Sequence, residues 1–65
     1  SVDKRDKLLK QVTKVYYERR KLQINMLTAP QTSVAKQLDE MLEMERLTAT
    51  LNALTGGWFS RNIGK

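Results

Sequence analysis

The chain has 65 residues, a net charge of +5, and neither cysteine nor histidine. So short a chain buries only about 60% of the surface its unfolded form exposes, which makes its core marginal. Disulfides and Cys/His zinc sites are excluded as staples, leaving helix packing or a partner to stabilise it.

An apolar fraction of 40% and a charged fraction of 29% suit helices with one wet face. No apolar run approaches the roughly 18 residues of a membrane span, and no signal-peptide apolar region is present. The sequence begins at Ser1 without an initiator methionine, which points to a processed product or a piece of something longer.

From Asp3 to Thr28 there is no Gly or Pro. Leu8, Val12, Val15, Arg19, Leu22 and Met26 follow one another at alternating steps of four and three, and five of these six are apolar. This is a helical seam, flanked by Leu9, Tyr16 and Leu27, and it predicts a first helix over about residues 3–28. Pro30 then lacks an amide proton and pushes Ala29 out of the helical region. The run Thr28-Ala29-Pro30-Gln31 fits a capping box with Thr28 as N-cap, and Ser33 is an alternative cap.

The second helix is expected over about residues 31–55, ended by Gly56-Gly57, which supply a left-handed backbone at low cost. At 100° per residue its apolar positions divide between two faces. One holds Val34, Ala35, Leu38, Met41, Leu42, Ala49 and Ala53; the other holds Met44, Leu47, Leu51 and Leu54. The short connection folds the helices back antiparallel. The expected fold is therefore all-α: an antiparallel two-helix hairpin in a single unit, 1–65, with an apolar tail at 56–65, able to pair into a four-helix bundle or to dock on a larger assembly. With the Leu38 face packed on the first helix, Tyr17, Ile24, Met44, Leu47, Leu51 and Leu54 remain unaccounted for, as do Trp58 and Phe59. These eight are the expected partner interface. The tail admits three readings: folding back over the open end of the hairpin, docking on a protein, or resting at a membrane surface, where Trp58 with Arg61 and Lys65 would be favoured.

Charge is divided between the helices. Residues 1–21 carry eight Lys/Arg against three Asp/Glu, and residues 31–55 carry two against four. In an antiparallel hairpin Arg19, Arg20 and Lys21 come opposite Asp39, Glu40 and Glu43, while Asp3 with Lys7, Asp6 with Lys10 and Lys14 with Glu18 are spaced for local pairs. Arg19 occupies a seam position. It either snorkels to water or pairs with Glu45 or Glu40. The basic residues Lys4, Arg5, Lys7, Lys10 and Lys14 could also form a phosphate or anionic-lipid patch, although they are distributed around the helix.

Nothing in the chain forms a catalytic constellation. Asp39, Glu40, Glu43 and Glu45 come without a histidine or a Glu-x-x-His spacing, no glycine loop cradles phosphate, and Tyr16-Tyr17 point about 100° apart, which does not suit base stacking. No catalytic residue, metal site or cofactor is expected. The runs Tyr16-Tyr17-Glu18-Arg19-Arg20-Lys21-Leu22-Gln23, Glu45-Arg46-Leu47-Thr48-Ala49 and Leu54-Thr55-Gly56-Gly57 resemble a helical segment near the C-terminus of poorly characterised exported proteins of Gram-negative bacteria, some of which look like outer-membrane β-barrel proteins. The resemblance implies a periplasmic or outer-membrane location and a hairpin that is one part of a larger protein or complex. It assigns no functional residues, and the chain has none of the alternating strands a barrel needs. The expected function is a structural, protein-interaction module acting on a protein partner or a second copy; a small basic nucleic-acid-binding hairpin is the alternative.

Overall fold

The computed structural model of the protein describes residues 2–30 and 33–63. They form three helices in chain order: α1 (Val2–Thr28), α2 (Val34–Thr55) and α3 (Trp58–Asn62), with no strand among the described residues. The two long helices pack together as a hairpin, and α3 packs on α2. The molecule measures 47 × 18 × 16 Å. Its radius of gyration is 13.7 Å, against about 10.7 Å for a compact domain of this length. A rod two helices wide has little interior.

Helix α1 starts and ends where the absence of Gly and Pro allows. Its last turn closes with the Ala29 amide donating to the Asn25 carbonyl, and Pro30 then stops it. The cap of α2 is Ser33, in extended backbone, whose Oγ accepts from the Lys36 amide at 3.1 Å. Thr28 is not the cap: its hydroxyl turns back onto the Ile24 carbonyl at 2.7 Å, within α1. The physical reason is that Thr28 is still helical, whereas an N-cap needs extended backbone. Gln31, the reciprocal partner in that expected box, lies outside the described residues.

At the other end, the Gly56 and Gly57 amides both donate to the Asn52 carbonyl, with both glycines at positive φ, 61° and 84°. This left-handed pair reverses the chain, and the tail re-enters as α3 instead of trailing off. The reversal explains why Gly57 has to be glycine, since a φ of 84° is strained for any residue with a side chain.

The hairpin closes on the opposite face of α2 from the one expected. Leu47 and Leu51 are 3% and 1% exposed, and with Phe59 at 2% they are the buried residues among those described. Val34, Ala35, Leu38, Met41, Leu42, Ala49 and Ala53 all face solvent. The α1 seam is as expected, with Val12, Val15, Arg19, Leu22 and Met26 half-buried, while Leu8 is largely exposed where α1 runs on past the packed region. The choice of face follows from area. The Leu47 face keeps large side chains along the half of α2 that meets the middle of α1, where the other face offers only Ala49 and Ala53, and each leucine buried is worth about 1.5–3 kcal/mol.

Candidate interaction surface

The open end of the hairpin, where the tail folds back, is organised around Phe59. Its ring is 6.3 Å from that of Tyr16, which in turn meets Tyr17 edge-on at 6.2 Å. The Arg19 guanidinium lies over the Phe59 ring, 5.0 Å from its centre, and Arg19 Nε donates to Thr48 Oγ1 at 2.9 Å. Arg19 therefore neither snorkels freely nor pairs with Glu45 or Glu40. With the Leu47 face turned inward, Thr48 is the polar group that arrives opposite it and Glu45 points away from α1. Stacked on an aromatic face, a guanidinium keeps its charge partly compensated without a carboxylate.

Polar side chains hold α3 in place. Asn52 Oδ1 accepts from the Ser60 amide at 2.9 Å, and its Nδ2 donates to Ser60 Oγ. Thr55 Oγ1 accepts from the Phe59 amide at 3.2 Å while donating to the Leu51 carbonyl. Because α3 has only five residues, it is too short to be stable by itself, so these bonds and the burial of Phe59 are what order it.

The eight residues expected at an interface are thus split. Leu47, Leu51 and Phe59 are interior; Met44 and Leu54 are half-buried; Tyr17, Ile24 and Trp58 are exposed. Leu54 also lines an open groove of about 320 Å³ between the helices with Gln11, Lys14, Val15, Glu18 and Thr50. A further apolar surface is the outward face of α2: Val34, Leu38, Met41 and Leu42 are all exposed, with Ala49 and Ala53 beyond them. Sequence periodicity found this stripe but assigned it to the core.

Charged side chains border the apolar face. Arg46 makes a two-pronged contact with Glu43 on the same helix. Hydrogen bonding to Arg46 lowers the Glu43 carboxyl from its usual range; the same bonds raise Arg46, to which Glu18 of α1 adds attraction. Among the described residues none of the expected local pairs, Asp3 with Lys7, Asp6 with Lys10 or Lys14 with Glu18, closes within ion-pair distance. On α1, Lys7, Lys10, Lys14 and Lys21 follow a three-four spacing in line with Tyr17. They are exposed.

Neither protein-family models nor curated proteins nor solved structures provide a match to this chain. Its surfaces carry the functional reading.

Proposed function

We propose that the hairpin is a non-catalytic structural module that works by contact with protein, as one part of a larger protein or complex of the bacterial envelope. The observation that carries this is surface in excess. The chain exposes 5252 Å², whereas a compact monomer of its 7.5 kDa mass exposes about 4,200 Å². The excess of about 1,000 Å² is of the size one partner contributes to a standard interface, about 800 Å². The outward face of α2 is one apolar part of the exposed surface, with Leu38 53% and Leu42 62% exposed. A contiguous apolar face of this kind on a small unit is the mark of an interaction site. The envelope setting is supported by the resemblance of the Tyr16–Gln23 and Glu45–Gly57 runs to a segment of exported proteins.

This reading expects the isolated hairpin to be marginally stable, since three fully buried side chains do not offset the entropy of ordering the chain. Thermal melts followed by circular dichroism over a hundredfold range of concentration test it. Cooperative unfolding above about 70 °C in the most dilute sample, beyond the 45–65 °C usual for domains, would show a unit that needs no partner and would end the reading.

The ridge of Lys7, Lys10, Lys14 and Lys21 favours a second reading, contact with nucleic acid. Four phosphate contacts would give a log-log salt slope of roughly −3 to −4 in a duplex titration. A flat response removes it.

A further inference from the structure

We propose that the partner for the outward face of α2 is the same face of a second copy of this chain, packed antiparallel, so that the two α2 helices lie innermost in a four-helix assembly. The proposal rests on the interaction-module reading and names its partner. The face is uneven along its length: Val34 and Leu38, four residues apart, occupy the N-terminal half, and Ala49 and Ala53, also four apart, occupy the C-terminal half. Antiparallel pairing about a two-fold axis sets Leu38 over Ala49 of the other copy and Val34 over Ala53 of the other copy, at both ends at once. Large side chains then fill the space left by small ones, as close packing requires.

Met41 and Leu42 fall beside the axis. Their exposure, 53% and 62%, leaves them as its natural cover. Parallel pairing would instead stack leucine on leucine and leave alanine facing alanine across a gap. Seating the face on the outer ridge of α1 would place Leu38 and Leu42 among Lys7, Lys10 and Lys14.

Charge is compatible with the same register. Asp39 and Arg46 lie on one flank of the face, seven residues or about two turns apart. In the antiparallel arrangement residues on the same flank meet, so Asp39 of each copy comes opposite Thr48 of the other, two residues along the helix from Arg46 and within reach of its long side chain. The surface excess of about 1,000 Å² per chain matches what each partner in a stable dimer buries. Glu45 is the charge on the face itself. It comes beside Leu42 of the other copy, close to the axis, where its carboxylate opposes association.

The test is sedimentation equilibrium of the 65-residue chain, read beside circular dichroism, with oxidative cross-linking of single-cysteine variants in a chain that has no cysteine of its own. The expected result is a dimer that Leu38→Glu weakens at least tenfold at unchanged helicity and that Glu45→Gln tightens. Leu42→Cys should form a disulfide-linked dimer, whereas Tyr17→Cys on the outer face of α1 should not. If Leu38→Glu lowers helicity, Ala49→Glu at the opposite end of the same contact gives the same reading. A chain monomeric at all concentrations overturns the proposal, and so does a dimer indifferent to both substitutions or cross-linked equally at Tyr17. A marginally stable monomer removes the self-contact and leaves the interaction module standing; an independently stable monomer removes both.

Discussion

The two ends of this hairpin are built differently. At the glycine end α2, α3 and the middle of α1 enclose Leu47, Leu51 and Phe59, and polar bonds from Asn52 and Thr55 lock the short helix down. At the proline end Leu27, Val34, Leu38, Met41 and Leu42 are all exposed, and α2 begins on the Ser33 cap alone. Stability in a protein is not uniform, and segments with few buried apolar contacts open first. The glycine end holds the hairpin's own core; at the proline end the apolar residues of the outward face of α2 have no such core behind them.

The largest effect that can break this contrast is truncation of the aromatic plug. Phe59→Ala should destabilise the hairpin by about 3–5 kcal/mol, and Leu51→Ala by about 2–5 kcal/mol. Leu38→Ala, on the exposed face, should stay within about 0.5 kcal/mol when measured on the monomeric chain. Urea titrations of the three variants decide it: equal losses at Leu38 and Leu51 would mean that the faces of α2 are not distinguished.

A smaller effect separates α3 from the rest. Asn52→Ala removes both side-chain bonds to Ser60 and should cost roughly 1–2 kcal/mol, read as faster amide exchange at Phe59 and Ser60 with α1 little changed. Uniform loss of protection along all three helices would show that α3 is integral to the hairpin's cooperative unit.

At the proline end, Ser33→Ala should cost about 1 kcal/mol and fray the first turn of α2, with the glycine end left protected. Amide exchange at Lys36 and Gln37 reads this directly.

The least effect is a pH dependence. Because Arg46 lowers the Glu43 carboxyl, the pair's contribution is present above the ordinary carboxylate range and is lost as pH falls through the lowered value. Both groups are solvent-exposed, so the effect is small. Melts of the parent chain and Glu43→Gln should converge as pH falls from 6 toward 3; a constant difference would assign the stabilisation elsewhere.

Much of this architecture is legible in the residues. The helical seam of α1, the stop at Pro30, the stop at Gly56-Gly57 and the antiparallel return all follow from backbone chemistry and periodicity, which act locally. The α3 helix was not legible, because Trp58–Asn62 is too short to carry a period and is ordered only by Asn52, Thr55 and the pocket that takes Phe59. Arg19 was recognised as a seam residue with an unusual need, but its partners are Thr48 and the Phe59 ring, and which groups arrive opposite it depends on how α2 is rotated.

That rotation marks the limit of the sequence. Composition and spacing by themselves determine that the chain is two long amphipathic helices joined by a short turn, and that α2 has two apolar faces. They do not rank those faces, because helical periodicity gives the angle between residues on one helix and carries no information about the neighbour. Tertiary packing decided it: burying Leu47 and Leu51 against α1 lets Phe59 close the same core, and no residue of the Leu38 face could have done so. The face left outside is the one with surface still to bury.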